Sequence, residues 1–252
     1  MRIVSWNVNG IRAASRNGFL QWLQSAQPDI VCIQETRLGT VELEHAVFRP
    51  NGYTSVWRSA QKPGYSGVGT YYKAAPLSEG PMDVPEFDCE GRVQVLEYEA
   101  FTLINAYFPN SQRAHTRLDY KLDFCRAMWA FCQRLRGQGK NVVLCGDYNI
   151  AHEEIDIARP KENENSAGFL PQERSAMTEF LSLGYVDTFR HFCQEGGHYT
   201  WWSVVTRARV KNIGWRIDYF CVNEEFMPRV KEAAIHPDVM GSDHCPVSIT
   251  IE

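Results

Sequence analysis

The sequence predicts an α/β fold in which mixed β-sheets are covered by helices. Short apolar or alternating runs bounded by Gly, Pro and Asn read as strands. Amphipathic segments between some of them read as helices, while other strands follow one another in hairpin-like groups. Strands that both alternate with helices and pair consecutively suit mixed sheets in one domain spanning residues 1–252.

In chain order, "MRIVSW", "PDIVCIQE", "GVGTYYK", "RVQVLEYEAFTLINAYF", "NVVLCGDYN", "WRIDYFCV" and "CPVSITIE" are the strand segments. "FLQWLQSA" is a short helix. From His115 to Arg136, Leu118, Leu122, Cys125, Trp129 and Cys132 recur at steps of three and four, which places them on one helical face, and Gly137 ends the run. A third helix starts at Pro171, a residue suited to a first turn, and runs to Leu183 with Gly184 as terminator. The stretch from His152 to Phe169 is polar, irregular and rich in Asn and Glu, and a loop of that length is more often functional than idle.

Composition narrows the function classes. With 44% hydrophobic and 22% charged residues the chain is an ordinary globular one, without repeats or low-complexity tracts. Apolar runs such as "NVVLCG" fall far short of the roughly 18 residues of a membrane span, and "MRIVSWNVNG" is too short in apolar length for a signal peptide, so a cytoplasmic location is expected. The eight cysteines stand singly, without CxxC spacing, and most lie in apolar stretches, where they read as small buried hydrophobes. A net charge of −4 gives no global pull toward nucleic acid, so a polyanion must be met by local patches. Arg207, Arg209 and Lys211 form one, and Arg12 and Arg16 another.

Chemistry-bearing residues gather at strand ends: Asn7, Glu35, Tyr107, Asn110, Asp147 and Asn149. Ends of neighbouring strands converge on one rim of a sheet, so these residues could share a site, although "GDYN" alone is also an ordinary turn. Glu35, Asp147, Asp218 and Asp243, with amide oxygens from Asn7, Asn9 and Asn149, make a hard-oxygen set suited to Mg²⁺ or Mn²⁺ and not to zinc. "HEEID" fails as a zinc helix because Asp156 stands where a second His is needed. No GxSxG elbow is present, and Gly64, Gly67 and Gly69 match neither a P-loop nor a dinucleotide fingerprint. Asp243 and His244 are adjacent, so in an extended segment their side chains diverge and each needs a partner elsewhere.

Taken together, "NVNGIRA", "IQETR", "GYSGVG", "NAYFPN", "GDYNIAHEEID", "GFLPQER", "GWRIDYF" and "GSDHCPV" resemble, in order and over nearly the whole chain, the exonuclease III type of apurinic/apyrimidinic (AP) endonuclease in the endonuclease/exonuclease/phosphatase superfamily. The resemblance implies a four-layer α/β sandwich, deoxyribonuclease I-like, of two packed mixed sheets flanked by helices with the active site at one rim. It implies Glu35 as principal metal ligand with Asn7 beside it and Asp243 nearby, and His244 paired with Asp218. Phosphodiester hydrolysis needs an in-line nucleophile, charge neutralisation and help for the departing oxygen. On this reading Asp147 activates water and Asn149 and Tyr107 hold the phosphate. His244 with Asn7 stabilises added charge, and a Glu35-bound Mg²⁺ assists the leaving 3′-oxygen.

The same resemblance implies that Trp201, Trp215 and Ile217 line a small apolar pocket for an extrahelical sugar without a base. Arg12, Tyr65, Asn110, Arg113, Asn163, Ser166 and Lys211 are the expected DNA contacts. The implied partner is double-stranded DNA with abasic or 3′-blocked sites, bound by a monomer. Asn9 stands where some members carry Asp, Ser166 where many carry Asn, and Val205 where some carry a bulkier side chain. These differences bear on the balance of abasic-site incision, 3′-phosphodiesterase and 3′→5′ exonuclease activity. The chain starts at the first catalytic strand, so no N-terminal regulatory extension is expected. The alternatives are a catalytically weak RNA- or protein-binding regulator of the same fold, which predicts broken motifs, and a small-molecule phosphodiesterase, which would not need "GFLPQER", the tryptophan pair or Lys211.

Overall fold

The computed structural model describes residues 1–38 and 46–252. Within them the chain runs β1 (Arg2–Asn7), α1 (Ile11–Arg16), α2 (Phe19–Ala26), β2 (Ile30–Gln34), β3 (Thr54–Arg58), β4 (Val68–Tyr72), β5 (Ser78–Gly80), α3 (Pro85–Asp88), β6 (Val93–Glu97), β7 (Thr102–Tyr107), α4 (Leu118–Gly137), β8 (Val142–Asp147), α5 (Pro171–Ser182), β9 (Tyr185–Asp187), α6 (Thr188–Phe192), β10 (Asp218–Asn223), β11 (Val230–Ile235) and β12 (Val247–Ile251). Among the described residues no helix is long and apolar enough to cross a membrane.

One sheet has the order β11-β12-β1-β2-β4-β3 and the other β5-β6-β7-β8-β10-β9. Each holds a central parallel pair, β1 with β2 and β7 with β8, between antiparallel neighbours. Because successive side chains on a strand face opposite ways, Ile3, Ile30, Cys32, Val143 and Cys145 enter the layer between the sheets. Val4, Val31 and Ile33 meet α1 and α2, and Val142 and Leu144 meet α4 and α5. Helices, sheet, sheet and helices therefore make four layers. Burial on both faces explains why the central strands read as unbroken apolar runs.

The layer between the sheets turns polar toward one rim. Gln34 donates to Ser5 Oγ (3.0 Å) and Asn105 Oδ1 (2.8 Å), and Asn105 Nδ2 donates to Gly69 O (2.9 Å). The two Asn105 bonds, to Gln34 and to Gly69, cross from one sheet to the other just below the strand ends. Register completes the convergence: Asn7 lies beside Gln34, Tyr107 beside Asp147, and Asp147 opposite Asp218.

The expected helix at His115 begins instead at Leu118, because Gln112, Ala114 and His115 all have positive φ, which no helix tolerates. The third helix ends at Ser182, one residue early. The short edge strands β3, β5, β9 and β11 and the helices α1, α3 and α6 carry too little periodicity to be read from sequence.

Candidate active site

The rim site begins with backbone that most residues avoid. Asn9, Glu35 and Asn149, each just beyond a central strand, have φ of 47°, 54° and 51°, left-handed values that cost energy and persist only where surroundings enforce them. Gly10 N–H bonds Glu35 O at 2.8 Å and Val8 N–H bonds Gln34 O at 3.1 Å, so the β1–β2 pairing continues past the strands and fixes Glu35. At Gly146, a Cβ would lie 1.8 Å from Ala106 O, so only glycine lets β8 approach β7 closely enough to present Asp147.

Asp147 is the hub. Its Oδ2 accepts from Asn7 Nδ2 at 2.8 Å and Asn149 Nδ2 at 3.3 Å, and its Oδ1 accepts from Asn149 N–H at 2.8 Å. Asn110 Nδ2 donates to Asn149 Oδ1 at 2.9 Å. His244 Nδ1 lies 2.9 Å from Asp218 Oδ2, and its Nε2 faces Asp147 Oδ2 at 3.9 Å, too far for a hydrogen bond. Asp243 turns away from this group: its carboxylate accepts from Asn9 Nδ2 (2.8 Å), Trp201 Nε1 (3.1 Å) and Ser242 Oγ (3.2 Å). The adjacent acid and imidazole thus diverge as expected, although they precede β12, in a bend that ends at the isolated bridge between His244 and Trp201.

Burial first, then the neighbouring Asp218 carboxylate, pushes Asp147 up to about 7, while His244 and the amide donors pull it back. For His244, burial favours the neutral ring, but Asp218, by charge and hydrogen bond, and Asp147 outweigh it and raise the imidazole to about 10. Burial likewise opposes the Asp243 carboxylate, yet His244, Asn9 and Trp201 hold it below the usual range. Tyr107 is pushed far above the phenol range by burial and then by Glu35 and Asp147, so its hydroxyl keeps its proton and can donate. At neutral pH the centre therefore offers a carboxylate near its titration point facing an imidazolium.

A cavity of about 510 Å³ brings together Asn9, Glu35, Tyr107, Asn110, Asp147, Asn149, Ser166, Trp201, Trp215, Ile217, Asp243 and His244. Trp201 and Trp215 meet edge to face at 6.0 Å, and Gly168 fits against Trp215 where a Cβ would come within 3.1 Å of the indole. Lys211 and Asn163 line a second hollow of about 450 Å³ behind the same two tryptophans. Arg12, on α1, and Arg113 are exposed and outside both hollows. Tyr65 also stands outside, its hydroxyl held by Arg92 (2.8 Å) and Arg117 (2.5 Å).

Two details go beyond the sequence reading. Asn7 faces Glu35 and Asp147 with its amide nitrogen (3.2 and 2.8 Å), while its oxygen accepts from Asn9 N–H at 2.9 Å, so as placed it offers the two carboxylates a donor. Asn9 likewise spends its nitrogen on Asp243. In the basic patch, Arg209 folds over Trp202 at 4.6 Å and donates to the carbonyls of Pro237, Val239 and Ser242, leaving Arg207 and Lys211 exposed. Sequence reasoning missed Arg37, whose guanidinium grips Glu35 Oε1 at 2.5 and 3.0 Å, and the wall residues Ala167 and Gly168. The basic residue two positions after Glu35 was the available signal.

Asp147, Asp218 and His244 offer ligand atoms within 4.8 Å of one another and could hold a metal ion. In that trio His244 Nδ1 and Asp218 Oδ2 already face each other at 2.9 Å. Glu35, its side chain 17% exposed toward the cavity, is the better-placed hard-oxygen donor.

Packed mixed sheets, outer helices and an acid, amide and imidazole cluster on one rim define the deoxyribonuclease I-like class of α/β sandwich. Residues 4–244 match the Endonuclease/Exonuclease/phosphatase family, and the chain belongs to it. It is 46% identical to an exodeoxyribonuclease of Bacillus subtilis, over 100% of this chain and 99% of that protein. It is 39% identical to the DNA repair nuclease APEX1 of Danio rerio, over 99% of this chain and 81% of the relative. The solved AP endonuclease of Leishmania major superposes with a TM-score of 0.89 at 30% identity, covering 98% of this chain and 86% of that one.

Proposed function

We propose that this protein is a DNA-repair AP endonuclease of the exonuclease III type, which hydrolyses the phosphodiester 5′ to an abasic site and leaves a 3′-hydroxyl. The observation that carries the reading is the two-ended cavity. One end holds a hydrolytic set of Asp147, His244, Asn149 and Tyr107, and the other an apolar wall of Trp201, Trp215 and Ile217. A sugar lacking its base can leave the helix at low cost and fit such a wall, whereas a base-bearing nucleotide is excluded by size. The relatives' names, exodeoxyribonuclease and DNA repair nuclease, support DNA as the substrate class.

In this reading Asp147, held from three sides by amides, orients and deprotonates the attacking water. His244, fixed by Asp218 and positively charged, donates from Nε2 to a phosphate oxygen as charge accumulates. Tyr107 donates its hydroxyl hydrogen, and Asn7 and Asn149 present amide N–H groups. The carboxylate of Glu35 and, behind it, Asp243 suit a hard cation, and we assign Mg²⁺, with Mn²⁺ a substitute. Such an ion would supply Lewis-acid neutralisation of the phosphate and its departing oxygen.

Around the cavity, Arg12, Arg113, Asn163, Ser166 and Lys211 are assigned to backbone phosphates on either side, and Tyr65 to the same strand through its arginine-held hydroxyl. Val204, Val205 and Val210 are 70%, 94% and 90% exposed beside Arg207 and Lys211, an apolar and basic surface suited to lie against a duplex groove. The shared core between the sheets supports one catalytic domain, which we assign to a cytoplasmic monomer.

The test is incision of a labelled duplex bearing one abasic-site analogue, with Mg²⁺ and with EDTA, beside an undamaged duplex. Cleavage of the damaged duplex alone, abolished by EDTA, is expected. Equal cleavage of both duplexes, or none of either, overturns the proposal. Binding should also weaken steeply as salt rises.

A further inference from the structure

Behind the cavity wall lies an ion pair that the hydrolytic reading does not use. Lys121 of α4 and Glu173 of α5 are both 0% exposed and lie 2.6 Å apart. Lys121 Nζ also donates to Asn149 O at 2.5 Å. Glu173 Oε2 accepts from Gly168 N–H (2.6 Å) and Leu170 N–H (3.0 Å), and its Oε1 from the buried Ser111 hydroxyl. Ser111 follows Asn110, which holds Asn149. A direct backbone bond, Ala151 N–H to Gly168 O at 2.8 Å, closes the circuit.

A fully buried pair of this kind is a poor source of stability, because desolvation consumes most of its attraction and apolar residues of similar volume often serve as well. Part of the carboxylate's work is local, since Leu170 N–H is an open donor at the start of α5. The remaining bonds go elsewhere. They reach two adjoining backbone segments of the cavity lining, one that carries Asn149 and one that runs from Ser166 to Gly168.

We propose that Lys121 and Glu173 are positioning residues: their buried ion pair locks the Asn149 segment to the Ser166–Gly168 wall. The lock keeps the hydrolytic end and the sugar-accepting end of the cavity in register. The kinetic part of this inference rests on the AP endonuclease reading; the structural part does not.

Two readouts separate them. Lys121→Met removes the charge and the Asn149 contact while keeping an unbranched chain. Because the substitution also leaves Glu173 buried without its partner charge and lowers global stability, amide hydrogen exchange at 149–151 and 166–170 should accelerate about 10-fold or more beyond any change in the middle of α4. On the abasic duplex kcat should fall about 10- to 100-fold with KM within about threefold, as expected when reacting groups are misplaced without loss of binding. Ser111→Ala, which leaves the charges paired and the fold intact, should shift both readouts the same way, with kcat down about two- to fivefold. Leu135→Ala, at the far end of α4, is the control: it lowers the melting temperature but leaves kcat unchanged below it. Unchanged exchange in either variant, or a loss of kcat that Leu135→Ala reproduces, overturns the inference. Altered exchange in a protein whose wild type incises no abasic duplex sinks the functional reading and leaves the lock standing.

Discussion

Two buried charge clusters sit side by side at the start of β10, and their difference separates holding from reacting. Arg216 belongs to one and Asp218 to the other. In the first, Arg216 and Arg190 face Asp156 and Asp187: Arg216 bonds Asp156 Oδ1 and Asp187 Oδ2 at 2.7 Å each, and Arg190 adds a 2.5 Å bond to Asp156. Burial alone would raise the Asp156 carboxyl, but the two guanidinium groups hold it below its ordinary range. In the second, Asp147 and Asp218 share one imidazole, Asp218 Oδ1 is buried without a hydrogen-bond partner, and Asp147 is pushed up to about 7. Balanced charge makes a strut. Surplus acid makes a group that can take a proton near neutral pH.

The contrast can be broken most severely at Asp147. Asp147→Asn should lower kcat on abasic DNA by ~10²- to 10⁴-fold, the range for loss of a general base, while the melting temperature stays the same or rises because a like-charge contact is relieved. Next in size, Asp156→Asn should cost about 3–5 kcal/mol of stability in denaturant titrations, as for a buried pair deprived of one partner, with kcat near normal below the melting point. The sign of the pH effect follows. A carboxyl with a depressed folded pKa contributes stability that is present above its unfolded pKa of about 4 and lost as pH falls through the folded value. Wild type should therefore lose stability on acidification that Asp156→Asn has already lost. A near-normal unfolding free energy for that variant would contradict the strut.

A finer contrast lies within the reactive cluster. Since His244 is raised to about 10 chiefly through Asp218, its positive charge survives below that pH and is lost above it. Asp218→Asn should draw the alkaline limb of kcat down by about one to three pH units, whereas Asp243→Asn, which touches His244 only through charge, should move that limb far less. Its effect is expected in the half-saturating Mg²⁺ concentration, raised about 10-fold. Matching pH profiles for the two variants would dissolve the distinction between the neighbouring acids.

Much of this was legible in the chain, for a local reason. Glu35 and Asp147 end apolar runs, and a strand buried on both faces stops where polarity begins, so the strand ends and their residues could be read together. The divergence of Asp243 and His244 was expected of an extended segment, and it holds in the bend that the structure places there. What was hidden depends on contacts across layers. Arg209 belongs by sequence to an exposed basic run, yet its guanidinium is drawn inward by carbonyls about 30 residues away, at Pro237, Val239 and Ser242. The orientation of Asn7 is set by Asn9 N–H and by two carboxylates from other strands. Edge strands such as β9, three residues long, offer no period to detect.

Gly146 gives the rim a consequence for heredity. Its φ of 141° and the 1.8 Å approach of any Cβ to Ala106 O close the position to all other side chains. A saturation library across β8 would tolerate hydrophobic exchange at Val142 and Val143, yet return a single codon family at 146. The residue that makes no side-chain contact is then the one that mutational drift can least afford to touch.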